Sequence, residues 1–144
     1  MMIELRNVSK TFTLHNQGSA VIPVMTDVSL TVAAGECVGL KGASGAGKST
    51  LMRMIWGNYL AASGTITVAG TDVARAEPRE IIALRRERMA YVSQFLRVVP
   101  RVPTLEVVAE PLMAFAPEDE ALDAARTLLT RLRIPERLWG LSPT

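Results

Sequence analysis

The chain has 144 residues, the length of one domain, and 49% of them are hydrophobic, which excludes an intrinsically disordered protein. The net charge is +2, and the arginines are interleaved with acids, so a nucleic-acid-binding protein is not indicated. No stretch approaches about 18 apolar residues, no secretion leader is visible, and the single cysteine suits a reducing compartment. We therefore expect a cytoplasmic protein without direct membrane insertion.

The first 36 residues carry the pattern of an antiparallel β part. Residues 2–8 alternate between apolar and polar side chains, and more strand pattern spans 21–32, after a polar turn at 15–19. Ser9 and Lys10 are expected to form a corner that presents Phe12. An aromatic ring there can stack on an adenine base or can fill an ordinary hydrophobic corner, and the spacing leaves both interpretations open.

The next stretch, from Gly42 to Ser49, matches the pattern G-x-x-x-x-G-K-[ST] without a mismatch. Before it, Cys37–Leu40 has the character of a short buried strand, with Cys37 packed in the core. After it, Thr50–Trp56 has the apolar spacing of a helix. Strand, glycine-rich loop and helix are the setting of a phosphate-binding loop, because backbone N–H groups at a helix N-terminus surround anionic oxygens.

We therefore predict that this loop binds a nucleoside triphosphate, rather than being a flexible glycine linker. The ammonium of Lys48 can reach the β- and γ-phosphates, and the hydroxyl of Ser49 can ligate Mg²⁺. The candidate nucleotide-binding residues here are Gly42, Ala43, Ser44, Gly45, Ala46, Gly47, Lys48, Ser49 and Thr50.

The middle of the chain continues an α/β pattern. Residues 65–70 alternate as a strand, Pro78 opens a mixed-charge helix that runs to residue 88, and Met89–Ser93 is predicted to be a short buried strand. Gln94 follows, at the strand end where α/β sheets place ligands. Its carboxamide can ligate Mg²⁺ or orient an attacking water, and a plain polar residue at a strand end is the alternative.

After Gln94 the sequence predicts an apolar, proline-punctuated loop at 95–103 and then two helices. The loop is too apolar for an idle surface, which suggests contact with another subunit or domain. Thr104 is expected to cap a helix over Leu105–Phe115 that contains Pro111. A second helix begins after Pro117, and its predicted buried stripe consists of Leu122, Ala125, Leu129 and Leu132.

Four features together resemble the ATP-binding subunit of an ABC-type ATPase. They are the phosphate loop, Phe12 after Val8-Ser9-Lys10-Thr11, the Gly35-Glu36 turn, and Gln94 in Tyr91-Val92-Ser93-Gln94. The resemblance implies an α/β P-loop fold with an antiparallel β subdomain at 1–36, part of the core at 37–94 and the start of a helical subdomain at 95–144. It further implies that Phe12 stacks on adenine and that Gln94 links the γ-phosphate and Mg²⁺ to a partner surface.

Three stretches, at 8–15, 92–101 and 129–139, resemble more narrowly the L subunits of the bacterial carbon–phosphorus lyase system. This implies ATP binding and hydrolysis in phosphonate breakdown, assisting formation of a ribose 1-alkylphosphonate 5-triphosphate beside the soluble carbon–phosphorus lyase core complex. Two alternatives stay open: the motor ATPase of an ABC exporter or lipoprotein-release system, and a non-hydrolysing, nucleotide-gated binding module.

ABC subunits continue with a Leu-Ser-Gly-Gly-type signature, an apolar strand ending in Asp-Glu and a switch histidine, and none of these follows Gln94 in this sequence. We therefore expect the chain to be the N-terminal half of such a subunit. We expect the full-length form to pair as a homodimer or with another ABC subunit. This chain alone is expected to bind MgATP, with Lys48 and Gln94 as its catalytic contributions, and to show no turnover.

Overall fold

The computed structural model describes residues 2–14, 20–94 and 100–143. Its contacts divide the chain into two compact units, Met1–Tyr91 and Val92–Thr144. The predicted polar turn at 15–19 and residues 95–99 of the predicted apolar loop lie outside the described residues. No helix in the described ranges is both long and apolar enough to cross a membrane.

The first unit contains a four-stranded sheet in which every pairing is antiparallel. Its spatial order is β2-β1-β3-β4. The strands are β1 (Ile3–Leu14), β2 (Ala20–Val32), β3 (Ser63–Val68) and β4 (Thr71–Asp72). Pro23 lies within β2, where its missing N–H is tolerated because β2 is an edge strand. The strand patterns predicted at 2–8, 21–32 and 65–70 correspond to β1, β2 and β3.

In the part of the chain that the structure describes, two helices belong to the first unit and two to the second. They are α1 (Lys48–Ile55), α2 (Pro78–Glu87), α3 (Thr104–Met113) and α4 (Glu118–Arg131), and a short 3₁₀ turn follows at Glu136–Leu138. The predicted helix after Pro78 is confirmed. Pro78 is its first residue, where a backbone N–H would have no partner within the helix, so its absence costs nothing. The N–H of Glu77 donates to the carboxylate of Glu80 at 2.7 Å.

The core of the first unit joins one face of the sheet to α1 and α2. Its buried side chains are two positions apart on β3 and three apart on α1, as both periods predict. Leu5 and Val8 are three apart on β1, where the β1–β2 register shifts between them. They are Leu5, Val8, Leu51, Met54, Ile66, Val68, Val73 and Leu84. Arg85 adds a polar clamp, since its guanidinium donates to the carbonyl oxygen of Trp56 (2.8 and 3.1 Å) and to Asn58 Oδ1 (2.9 Å).

The expected corner at Ser9-Lys10 is wrong, because β1 runs through these residues without a break. Irregularities in the register replace the corner: the β1–β2 pairing shifts between Leu5 and Val8 and on either side of Lys10. Such bulges bend and twist a two-stranded ribbon while leaving it continuous. Phe12 therefore lies within a strand, opposite Ile22.

The two predicted buried strands, Cys37–Leu40 and Met89–Ser93, are not strands in this structure. Val38 and Leu40 are 39% and 37% exposed, Val92 is 94% exposed, and Cys37 is an exposed thiol rather than a core residue. A strand needs a neighbour for its N–H and C=O groups, and in the described residues no strand pairs with either segment. Their apolar pattern alone does not make a sheet.

The second unit is built on the packing of α3 against α4. Ala109, Ala121 and Ala125 are buried where the two helices meet, and small side chains let the backbones approach closely. The predicted stripe of α4 is buried at Ala125 and Leu129 and half-buried at Leu122, whereas Leu132, just after the helix ends at Arg131, is 62% exposed. The buried residue that the stripe missed is Ala121.

The predicted cap at Thr104 is also wrong. Pro103 occupies the cap position, and Thr104 is the first helical residue, without a side-chain bond to the helix. Its hydroxyl and its backbone N–H both donate to the carbonyl oxygen of Leu141, each at 2.8 Å. Thr104 thus fastens the start of α3 to the segment after the 3₁₀ turn.

Gly64 provides a direct test of the sheet. Its φ is +85°, and an added Cβ would lie 2.5 Å from the carbonyl oxygen of Asn7 on β1. Gly64→Ala should lower the free energy of unfolding by about 3 kcal/mol, since backbone strain and a clash with backbone add together. Gly70→Ala, at φ +87° but with nothing within 4 Å, should cost only about 1 kcal/mol. Urea unfolding measures both, and equal losses would contradict the close approach.

Candidate phosphate-binding site

Two glycines of the phosphate loop lie in the left-handed region of the backbone. Gly45 has φ +81° and Gly47 has φ +83°, values at which a Cβ is strained. Gly47 also forms the N-cap of α1, so the chain turns from loop to helix at a residue that only glycine fills without cost. Backbone geometry therefore explains glycine at positions 45 and 47 in this structure.

Gly47 is buried against β2. An added Cβ there would lie 3.1 Å from Val24 Cγ1, 3.2 Å from the Val24 carbonyl oxygen and 3.3 Å from Met25 Cε. The register explains this contact: Lys10 pairs with Met25 and Thr11 with Pro23, so Val24 is the extra residue of a bulge. The bulge brings two neighbouring β2 residues to the same glycine, and this fixes the loop on the ribbon.

The ammonium of Lys48 lies across the start of the loop. It donates to the carbonyl oxygens of Gly42 (2.8 Å) and Ala43 (2.7 Å). These two bonds hold a positive charge at the loop rather than in open solvent. A phosphate bound by the loop needs its counter-charge at this place. Lys48 thereby connects the first and last parts of the motif.

Helix α1 presents the remaining loop residues. The N–H of Leu51 donates to the carbonyl oxygen of Gly47 at 2.8 Å, and the side chains of Leu51 and Met54 are buried. With that face anchored, Ser49 is exposed and Thr50 half-buried in the first turn. The first-turn residues Lys48, Ser49 and Thr50 are not acidic, so the positive end of the helix dipole stays available to an anion.

Phe12 lies on the same stretch of ribbon as the loop. It is two residues along β1 from Lys10, whose partner Met25 touches Gly47, and residues so spaced share a face of a strand. Its half-buried ring meets the ring of Tyr59 in a T-shaped contact, with centroids 5.5 Å apart. The structure therefore brings the predicted aromatic residue and the predicted phosphate loop to one side of one unit.

Sequence reasoning missed the group that surrounds Phe12. The ammonium of Lys10 lies over the Phe12 ring, 4.9 Å from its centroid, and donates to the carbonyl oxygen of Leu60 at 2.6 Å. Arg53 donates to the hydroxyl of Tyr59 at 3.1 Å. That hydrogen bond, with a second one that Arg53 donates to Tyr91, raises the pKa of the Arg53 guanidinium above its ordinary value.

Gln94, the remaining predicted site residue, belongs to the second unit, where it is exposed. Phe12 and residues 42–50 thus lie in the first unit, and Gln94 lies in the second. The assembled part presents backbone donors, a fixed ammonium, an exposed hydroxyl and an aromatic ring. These groups fit a nucleotide: the loop and ammonium suit phosphate oxygens, and the ring suits a base.

Comparison with known proteins identifies this arrangement. The family model described as "ABC transporter" matches residues 25–142, most of the chain and all of the phosphate loop. The chain belongs to the ABC transporter family. It is an ABC ATPase nucleotide-binding domain sequence, and members of this family bind ATP with Mg²⁺.

Among curated relatives of this ABC chain, the pyoverdine export ATP-binding/permease protein PvdT of Pseudomonas aeruginosa is 39% identical over 94% of the chain. The lipoprotein-releasing system ATP-binding protein LolD of Bordetella pertussis is 37% identical over 86% of it. The chain spans 20% of the PvdT length and 54% of the LolD length.

Among solved structures, the ABC chain resembles the cassette MJ0796, including its dimeric post-hydrolysis state bound to ADP and Pi. The TM-score is 0.87 at 27% identity, and the match covers 99% of this chain and 62% of that one. The predicted fold, an α/β ABC-type nucleotide-binding domain, is therefore confirmed. The buried strands predicted at Cys37–Leu40 and Met89–Ser93 are the exception described above.

The ammonium of Lys48 can be tested directly. Lys48→Ala removes a charge-assisted contact of about 1.5–3 kcal/mol and should weaken MgATP binding roughly 10- to 150-fold in calorimetry. Lys41→Ala is the matched control, because Lys41 is the exposed lysine just before the motif. Equal affinities in wild type and Lys48→Ala would contradict the site.

Proposed function

We propose that this chain binds MgATP through the first unit and serves as the nucleotide-binding part of an ATP-driven assembly. The observation that carries the proposal is the phosphate loop seated on β2 at Gly47, with the Lys48 ammonium held at its mouth and Phe12 on the same ribbon. One unit thus offers separate partners for a triphosphate and a base.

Each group has a distinct part in binding. The N–H groups of the loop and of the first turn of α1 donate to phosphate oxygens, and Lys48 neutralises charge on the β- and γ-phosphates. Ser49 supplies a hydroxyl for Mg²⁺, which when bound neutralises the charge of the phosphate oxygens. Gln94 is proposed as a second Mg²⁺ ligand and as the link to a partner surface, on the resemblance alone.

We further propose that the whole protein hydrolyses ATP as a homodimer or as a heterodimer with another ABC subunit. The dimeric form of the similar cassette MJ0796 supports the pairing. Lys48 and Gln94 would contribute electrostatic stabilisation to phosphoryl transfer, where charge develops on equatorial oxygens. This chain contains no Asp-Glu strand end after Gln94, so we expect no turnover by residues 1–144 alone.

At a finer level we propose a function in phosphonate breakdown, beside the soluble carbon–phosphorus lyase core, assisting formation of a ribose 1-alkylphosphonate 5-triphosphate. The support is the resemblance of residues 8–15, 92–101 and 129–139 to the L subunits of that system. In the structure, 129–139 covers the end of α4 and the 3₁₀ turn, where Trp139 Nε1 donates to the carbonyl oxygen of Ile134 at 3.0 Å.

The second candidate is the motor ATPase of an ABC exporter or lipoprotein-release system. The names of the curated relatives favour it, since PvdT is an export ATP-binding/permease protein and LolD belongs to a lipoprotein-releasing system. The two candidates differ in the partner, which is a soluble enzyme complex in one case and a membrane permease in the other. A non-hydrolysing binding module is the third possibility, which absence of turnover in the whole protein would favour.

The partner can be identified by affinity capture of the protein expressed from its native locus. Parallel pull-downs from cytosol and from detergent-solubilised membranes should recover the soluble carbon–phosphorus lyase core from cytosol. Arg97→Glu with Arg101→Glu should weaken that recovery about tenfold, since two rim charges contribute about 0.7 kcal/mol each. Arg101 is exposed, and Arg97 lies outside the described residues.

Charge reversal at Arg131, which is exposed at the end of α4, is the matched control and should leave recovery unchanged. MgATP affinity should be equal in all these variants, because none of the substituted arginines is among the proposed nucleotide-binding residues. Recovery with a membrane permease alone would reject the phosphonate assignment and favour the transporter motor, with the MgATP proposal unaffected.

A further inference from the structure

The first unit carries a cluster of cations and rings that the phosphate-loop motif does not explain. We call it the Tyr59 cluster, and its members are Lys10, Phe12, Arg53 and Tyr59. Arg53 comes from α1, Tyr59 from the segment after α1, and the other two from β1. The cluster therefore connects the helix that starts at the phosphate loop with the strand that carries the predicted base-stacking ring.

Tyr59 lies at the centre of this cluster. Its ring contacts Phe12 at 82° between the planes, and the Lys10 ammonium and the Arg53 guanidinium lie 5.9 and 5.8 Å from its centroid. Its hydroxyl accepts a hydrogen bond from Arg53 at 3.1 Å. Tyr59 is thus held by a hydrogen bond on its polar end and by two cations around its ring.

The same contacts restrict the Phe12 ring. A perpendicular ring contact limits rotation of a phenyl group about its own axis, because turning it would lose the edge-to-face geometry. Lys10 is fixed by its bond to the Leu60 carbonyl oxygen and covers part of the Phe12 ring, 4.9 Å from the centroid. The orientation of Phe12 is therefore set by neighbours that are themselves anchored.

We propose that Tyr59 is a positioning residue for base binding: it fixes the Phe12 ring so that a nucleotide's purine stacks on the part that Tyr59 and Lys10 leave uncovered. This inference rests on the proposed function, in which Phe12 stacks on adenine. Tyr59 acts through Phe12 and contributes nothing to the phosphates, whose partners lie at the other end of α1.

Separate titrations with MgATP and with inorganic triphosphate and Mg²⁺ test this division by calorimetry. Tyr59→Leu should weaken MgATP binding roughly 3- to 10-fold, the effect expected for losing an aromatic pair. It should leave triphosphate affinity unchanged, and this second readout also reports that the loop is intact. Tyr59→Phe keeps the ring and should retain MgATP affinity within about twofold.

The control is Phe115→Leu, which removes an aromatic ring of the second unit that is 59% exposed and should leave both affinities unchanged. Phe12→Leu should weaken MgATP roughly 10-fold, and Tyr59→Leu added to it should cause no further loss. The positioning role would be overturned if Tyr59→Leu left MgATP affinity unchanged or weakened both ligands equally. It would also be overturned if Tyr59→Phe caused the same loss, or if the losses from Tyr59→Leu and Phe12→Leu were additive. If Phe12→Leu itself leaves MgATP affinity unchanged, the proposed stacking is wrong as well.

Discussion

The contact between Gly47 and the bulge of β2 sets the geometry of the whole candidate site. Val24 and Met25 approach this glycine so closely that a methyl group would meet side chain and backbone within 3.1–3.3 Å. Because the bulge lies opposite Lys10, the phosphate loop is fixed beside the part of β1 that carries Phe12. This close approach of Gly47 to β2 thus relates the proposed phosphate partner to the proposed base partner.

Around this contact the first unit gathers positive charge at fixed positions. Lys48 is bonded to two loop carbonyl oxygens, Lys10 to the Leu60 carbonyl oxygen, and Arg53 to the Tyr59 hydroxyl. Each cation is held by a neutral oxygen instead of a carboxylate in these bonds, so its charge remains available to an anionic ligand. Lys48 suits a triphosphate, whose charge is concentrated at one end, while Lys10 and Arg53 lie at the rings of Phe12 and Tyr59.

The sequence predicted best what is local and least what depends on distant neighbours. The loop from Gly42 to Ser49, its helix and the first strand follow from spacing within a few residues, and the structure forms that helix and strand. The segments at 37–40 and 89–93 have strand patterns, but a strand also needs a partner, and none pairs with them in the described residues. Tyr59 was missed because its contacts with Phe12 and Lys10 join residues more than forty positions apart, and no local motif marks such pairs.

The central claim is that one unit holds both ends of the nucleotide, with phosphates on the loop and base on Phe12. Intermolecular nuclear Overhauser effects in a ¹³C,¹⁵N-labelled sample with MgATP measure this most directly. The account predicts adenine-proton cross-peaks to the Phe12 ring, together with large amide shifts at Gly45 and Gly47 that ADP and inorganic triphosphate also produce. Adenine cross-peaks to other residues with none to Phe12, or unshifted loop amides at saturating MgATP, would contradict it.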